Sequence, residues 1–377
     1  MFFVLLICSA VLSLALSQFV IVDSTCNDIS VGVGAASSSY AINVASDTAG
    51  NLYTNIAYNN EWTNTLSSLG LSLDCAINSK GQSYFATSGS IRYSNNSTTY
   101  SAVEGAIGTT QSINYLADNE DILALVGTFF VKGKGSATGV VLTQDGKALS
   151  LSEIPAYVRY GSFPSSQVWY VSAGTWPEDS VSEGYRAHSK RVSFNHENKK
   201  AKVDLSKRRK LQASNETWVA QIFKTTNGGA SFDMIFNAPS DADYYFNGIS
   251  CGDENTCVVV GEGNNADGAP IAVVFTTQDG GSTWVQTINT VNTIYTTMAV
   301  KMINNKIGYF AATVKSGRTL SGTFYTTTDG GMTWSVQQEL ASCEMILDMD
   351  FNADGSAGYA TCMSASGTKG CVAQYIQ

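Results

Sequence analysis

Apolar and polar positions change places in short runs along the chain. WVAQIFK (218–224), IAVVF (271–275) and GTFYT (322–326) are apolar or β-branched runs of strand length. Each is followed by a polar Gly/Asp/Asn cluster and then a second short run, DMIF (233–236), VQTI (285–288) or SVQQ (335–338). Such runs bounded by turn residues predict strands joined by hairpins. Few segments carry the Ala/Glu/Lys/Leu pattern of a helix, so the expectation is an all-β chain. Further strand–turn–strand units read SLDCAINSKGQSYFATS (72–88), GISCGDENTCVVVGEG (248–263), VKMINNKIGYFAATV (300–314) and LDMDFNADGSAGYATC (347–362).

The turns between the first-named runs repeat: TTNGGASF (225–232), TTQDGGSTW (276–284) and TTTDGGMTW (326–334). Their aromatic ends, Phe232, Trp284 and Trp334, lie 52 and 50 residues apart. The expected working residues are Thr226, Asn227, Gly228, Gly229 and Phe232 in the first; Thr277, Asp279, Gly280, Gly281, Thr283 and Trp284 in the second; and Thr327, Asp329, Gly330, Gly331, Thr333 and Trp334 in the third. The carboxylate accepts turn N–H bonds, the glycines supply positive φ and the aromatic ring buries apolar area. These are structural tasks, so no catalytic residue is assigned to them. Weaker copies are YSNNSTTY (93–100), with Asn95 at the place of Asp279, and TQDGKALS (143–150), with Asp145 there; Trp62 ends a still more degenerate one. Four strands every 40–50 residues is the pattern of a propeller blade. Seven units follow, roughly 26–66, 67–105, 106–154, 155–240, 241–292, 293–341 and 342–377, with six or eight blades left open. The first and last are short enough to complete one another's sheet and close a ring.

TTQDGGSTW and TTTDGGMTW resemble the Asp-box, or BNR, repeat of sialidase-like β-propellers. The order strand, turn, strand, box resembles the photosystem II assembly/stability factor (Ycf48-like) family, strongly over about 215–340 and weakly over 26–377. The resemblance implies a propeller whose boxes sit on the blade rim as structural parts. It marks a fold and leaves the activity open.

Residues 2–16, FFVLLICSAVLSLAL, are an uncharged apolar run ending at small residues, which predicts a signal peptide over 1–17 and a single domain over 18–377. The run is short for a membrane span, and no other stretch reaches that length. Secretion is therefore expected, with no membrane span after removal of the signal. It argues against a photosynthesis-linked role. The Asn-x-Ser/Thr sequons at Asn95, Asn96 and Asn215 are glycosylation candidates on that route. Cys251 with Cys257, and Cys362 with Cys371, flank hairpin-like turns and are disulfide candidates; the seven cysteines beyond Cys8 leave at least one free or paired between chains. The net charge of −9 conceals a division: residues 186–210 hold ten Lys/Arg and two acids, leaving −17 on the rest. An acidic body excludes nucleic acid as an expected partner. The basic insertion, at about 178–214, is open to three readings. It is a solvated loop, a dibasic processing site at Lys207, Arg208, Arg209 and Lys210, or a docking patch for an acidic partner.

Catalytic raw material is scarce. Both histidines, His188 and His196, lie in the insertion, which leaves Ser-His-Asp and His-metal chemistry almost nothing to work with. A sialidase needs three arginines around a carboxylate. Arg92, Arg159 and Arg318 supply the number outside the insertion, but the Arg-Ile-Pro signature is missing. Asp348, Asp350, Asn352 and Asp354 alternate as calcium ligands do, yet Ala353 and Tyr359 break the EF-hand pattern; Lys132-Gly133-Lys134-Gly135 lacks phosphate-loop spacing and predicts a hairpin tip. The expectation is a secreted binding or scaffold propeller for a protein or glycan ligand, with no cofactor and no metal. The alternative is an extracellular glycosidase of sialidase-like type.

Overall fold

A computed structural model of the chain describes residues 17–23, 30–36, 42–47, 50–56, 61–67, 72–87, 90–176, 218–317, 319–364 and 370–376. The insertion with Lys207–Lys210, Asn215, both histidines, Cys26 and Arg318 lie outside these residues. No helix among the described residues is long and apolar enough to cross a membrane.

The strands form seven four-stranded antiparallel sheets, the blades of a propeller. In chain order the innermost strands are β2 (Ser30–Ala35), β6 (Ser72–Ile77), β10 (Gly108–Leu116), β14 (Val158–Ser162), β18 (Tyr244–Cys251), β22 (Ile294–Met302) and β26 (Cys343–Phe351). Each contacts the next, and β26 returns to β2, so the ring closes around an axis. Apolar clusters fill the wedge between neighbouring blades. One joins Tyr170 and Ile222 of the fourth blade to Phe246, Val259 and Phe275 of the fifth; another joins Val258 and Val274 to Phe310 and Ala312. The core is thus a set of spokes, which explains why both faces of most strands are apolar.

Closure differs from the expectation. The first unit needs no help: β2, β3 (Ile42–Asp47), β4 (Leu52–Ile56) and β5 (Thr63–Leu66) form a full sheet. The last unit has three strands, β26, β27 (Gly358–Ser364) and β28 (Gly370–Ile376). Its fourth is β1 (Gln18–Asp23), which precedes the first unit and pairs antiparallel with β28. Phe19 anchors it, stacking on Phe324 of the sixth blade at 3.7 Å between ring centres, with Phe351 and Tyr375 edge-on. Gln338 of the sixth blade brackets Phe19, accepting from its N–H and donating to its carbonyl.

The repeated turns join third to fourth strands on the rim that also carries the first hairpins. Thr277 Oγ1 donates to Asp279 Oδ1 at 2.8 Å and accepts from Gly281 N at 2.9 Å. Asp279 also takes the N–H and hydroxyl of Thr283, and Thr327, Asp329, Gly331 and Thr333 repeat every contact. These bonds hold the Asp279 carboxyl down to about 2, the Thr283 hydroxyl contributing most. Gly280 and Gly330 donate to the first hairpin of their own blade, at Asn255 O and Lys306 O. A Cβ on Gly281 would lie 2.4 Å from Ile235 of the preceding blade, and φ there is +85°, so glycine alone fits. Trp284 and Trp334 pack into the seams with the preceding blades.

Three details correct the sequence reading. In the first turn the hydroxyl is that of Thr225, which donates to Asn227 and accepts from Gly229 N; Thr226 stands where Gln278 does. In the second blade Asn96, not Asn95, takes the Asp279 place. Its Oδ1 accepts from Ser94 Oγ, Thr98 and Thr99, and Ser97 at φ 55° replaces both glycines, so this copy is one residue short. In the third, Asp145 and Gly146 form a two-residue hairpin turn with φ of 48° and 75° between the paired Gln144 and Lys147. The Asp145 carboxylate accepts from Gln82 of the second blade instead of its own turn. Lys132–Gly135 is the tip joining β11 (Asn119–Val131) to β12 (Gly135–Gln144).

Cys251 is bonded to Cys257, and Cys362 to Cys371, each across neighbouring strands of one blade. Cys75 and Cys343 are buried thiols.

Candidate functional site

Every inner strand is bulged at the same step. The unpaired residues are Leu73, Gln111, Arg159, Asn247, Met298 and Leu347, and β2 is bulged between Ser30 and Gly32. A bulge re-aims one side chain and deepens twist. Repeated around the ring, it sets a collar beside the axis. Neighbouring collar residues meet: Asn247 Nδ2 donates to Met298 Sδ at 3.4 Å.

Below the collar, toward the rim with the repeated turns, the inner strands are stitched together by polar side chains. Asp74 Oδ2 accepts from Ile113 N at 2.7 Å and Asp348 Oδ2 from Val33 N at 2.8 Å; Asp350 Oδ2 accepts from Ala35 N at 2.9 Å. Ser112, Ser162 and Ser250 do the same with hydroxyls, accepting from Gly161, Cys251 and Met302. The remaining oxygens are committed too: Asp74 Oδ1 to Cys75 N, Asp348 Oδ1 to Met349 N, and Asp350 Oδ1 to the Lys301 ammonium. Burial pushes the Asp348 carboxyl up to about 6, reinforced by Asp350, and raises Asp74 well above the usual range with Asp348 as second cause. Asn352 and Asp354, grouped with Asp348 and Asp350 as a calcium pattern, instead cap the following hairpin by accepting from Ala357 N and Ser356 N. The three aspartates are therefore seam parts between blades.

Above the collar, where the inner strands begin, the fourth and fifth blades present an aromatic and cationic cluster. The Arg159 guanidinium lies 5.0 Å from the ring centres of both Trp176 and Tyr245 and 5.7 Å from that of Tyr160. Trp176 and Trp218 pack on Tyr245 at 4.9 and 5.8 Å. Tyr245 donates to Glu262 Oε1 at 2.7 Å, and burial raises its phenol well above the usual range. Trp176 and Trp218 follow β15 (Trp169–Thr175) and precede β16 (Val219–Thr225), so they are the two ends of the basic insertion. Arg159 Nε and Asn247 Oδ1 are buried without hydrogen-bond partners. Arg159 belonged to the arginine set read from the sequence. Trp176, Trp218, Tyr245 and Asn247 were missed, because nothing in their local pattern tells an axial strand from a peripheral one.

The structure separates two of the three arginines. Arg92 lies on β8 (Ile91–Ser94), the third strand out in the second blade, while Arg159 sits on an inner strand of the fourth. Among the described residues no second arginine joins Arg159 at the axis.

The sequence matches no protein-family model and no curated protein. Many solved structures share the fold, two of them as follows. A structure described as YCF48 bound to D1 peptide aligns over 96% of this chain and 97% of its own, at 8% identity and a TM-score of 0.56. The GH74 xyloglucanase from Xanthomonas campestris aligns over 93% of this chain at 10% identity and a TM-score of 0.56; this chain spans about half, 54%, of its length. The chain is a seven-bladed β-propeller whose fold is related to that of a peptide-bound protein and to that of a glycosidase.

Proposed function

We propose that this chain is a secreted, non-catalytic binding propeller that holds its ligand over the collar, at the mouth framed by Arg159, Trp176, Trp218 and Tyr245. The observation that carries the reading is the commitment of the axial carboxylates. All six oxygens of Asp74, Asp348 and Asp350 already accept from backbone N–H groups or Lys301. A glycosidase needs one carboxylic acid free to protonate the leaving oxygen and a second free to attack or activate water. The mouth offers what binding surfaces use, Trp, Tyr and Arg on a rigid frame. The repeated turns are read as structural Asp-boxes, in keeping with their lack of free groups. Export is supported by the apolar leader and by β1 starting at Gln18, directly after the expected cleavage point.

A second reading is kept for one reason. Asp74 and Asp348 lie near the axis with raised pKa, as a general acid must. Secreted protein screened on glycan and peptide arrays and on fluorogenic glycosides decides between them. Saturable binding without turnover supports the binding reading. Turnover abolished by Asp348→Asn in a folded variant would replace it with the glycosidase.

A further inference from the structure

We infer that the last blade holds a thiol–disulfide relay: Cys343 attacks the Cys362 sulfur of the Cys362–Cys371 bond, moving the staple from the β27–β28 pair to the β26–β27 pair and releasing β28. The relay acts on closure of the ring and is independent of the mouth described above.

Three sulfurs meet at one point. The Sγ atoms of Cys343, Cys362 and Cys371 all lie within 4.8 Å of one another, and all three residues are buried. They sit in the apolar wedge between the sixth and seventh blades, with Ala311 and Phe324 of the sixth in the same cluster. Cys362 is bonded to Cys371, and Cys343 is a free thiol beside that bond. The other free thiol, Cys75, lies between the first and second blades and donates to Val44 O at 3.4 Å. Among the described residues neither Cys75 nor the Cys251–Cys257 bond belongs to such a group.

Topology gives the reaction its direction. The strands of this blade lie in the order β26, β27, β28, β1. Cys362 is on the middle one of the three that carry sulfur, opposite Ile346 of β26 on one side and Cys371 of β28 on the other. Exchange proceeds by attack of one sulfur on the near sulfur of a disulfide, and the far sulfur leaves. Cys343 attacks, Cys362 is the near sulfur and Cys371 leaves. Cys343 and Cys371 are two strand spacings apart, about 9–10 Å, beyond the roughly 7 Å between Cα atoms that a disulfide spans. The exchange therefore ends at Cys343–Cys362. Cys343 is the first residue of β26, and a bulge follows it directly, between its pairing with Ser364 and that of Met345 with Met363. Strand ends open locally at little cost, which gives the attacking residue room to move.

Atoms and electrons balance within the chain. One S–S bond forms and one breaks, the Cys343 S–H proton passes to the Cys371 sulfur, and no oxidant or reductant is consumed. At rest Cys343 donates to Met345 O at 3.4 Å, and burial pushes its thiol well above the ordinary range. Thiolate is scarce there, so the exchange is slow until the blade opens. Before it, a covalent bond pins β28 to β27. After it, β28 is held by its ladders and packing alone, and β28 is the strand that carries β1.

The full secreted chain, purified without reductant, is equilibrated in a buffer of glutathione and glutathione disulfide. It is then quenched in denaturant with excess N-ethylmaleimide and digested without reduction. Mass spectrometry is expected to find two isomers, Cys362–Cys371 with label on Cys343 and Cys343–Cys362 with label on Cys371. The second is expected in about one molecule in ten or more, a gap of at most about 1.4 kcal/mol between the staples. Cys343→Ser should hold every molecule in the first state, and Cys371→Ser should close Cys343–Cys362 in the same buffer. The amides of β28 and β1 are expected to exchange faster in Cys371→Ser than in Cys343→Ser. The wild-type map needs no variant to fold. Label confined to Cys343 in the wild type, two labelled thiols in Cys371→Ser, or equal protection of β28 in the two variants overturns the relay. Retention of one Zn²⁺ by the three thiols of the reduced chain, with no Cys343–Cys362 on reoxidation, overturns it in favour of a metal site.

Discussion

Removing the ring of Phe19 tests how the propeller closes. Phe19 is 1% exposed, stacked on Phe324 and met edge-on by Phe351 and Tyr375, so Phe19→Ala empties a site bounded by three aromatic rings. A buried Phe truncated to Ala costs about 3–5 kcal/mol, the transfer of the ring plus the cavity left behind. With about 2.1 cal/mol/K of unfolding entropy per residue over the mature chain, that is a fall of about 4–7 °C in thermal midpoint. The loss should also be local. The amides of β28, which pair with β1, are expected to exchange faster before those of the fourth and fifth blades change, because β1 is held to the last blade by one ladder and one anchor. Calorimetry gives the first quantity and hydrogen exchange by mass spectrometry the second. In a double-mutant cycle with Phe324→Leu, the stacked pair should show about 0.5–1.5 kcal/mol of coupling. A midpoint shift below about 1 °C with unchanged protection of β28 would refute closure by this strand.

Thr225→Val is expected to cost about 1–2 kcal/mol in urea denaturation and Thr226→Val less than about 0.5, because only the Thr225 hydroxyl serves the turn; the reverse order would restore the reading from sequence. Gly281→Ala is expected to cost about 2–4 kcal/mol, from its positive φ and the Ile235 side chain in the way, and near-neutrality by the same measurement would deny that contact. Thermal midpoints measured across pH should separate two carboxylate sets. The Asp279 carboxyl is depressed in the folded state, so its contribution is present above about 4 and lost as pH falls toward 2. Asp348 is raised, so the folded state holds more protons on it than the unfolded one between about 4 and 6, and stability declines as pH rises through that window and levels off above it; Asp74, also raised, acts in the same direction. Asp348→Asn should flatten the upper window alone; a profile unchanged by it would mean the carboxyl titrates normally.

The repeated turns were readable because their physics is local. Thr, Asp and Gly within five residues satisfy one another's hydrogen bonds, so the motif appears as a string and its spacing counts blades. Degenerate copies were misplaced for the same reason. Where Ser97 takes the positive φ of two glycines, or Asp145 spends its carboxylate on Gln82, the string still aligns, but only coordinates say which atom does the work. The disulfide partners were also within reach, since each pair sits across a short hairpin.

The site was not. An inner strand and an outer strand share the same alternation, and what distinguishes them is the axis, which exists only once all seven sheets have closed. Arg159 and Tyr245 are 86 positions apart in the chain, and Trp176 and Trp218 flank 41 residues between them. They meet because a bulge at one register step turns a side chain upward in the fourth blade and the fifth packs against it. Ring closure by β1 has the same character, for a strand at one end of the chain finds its partner at the other, Gln18 beside Ile376. Local hydrogen bonding wrote the blades into the sequence. The order in which apolar wedges stack decided which residues face the axis, and therefore which of them can meet a ligand.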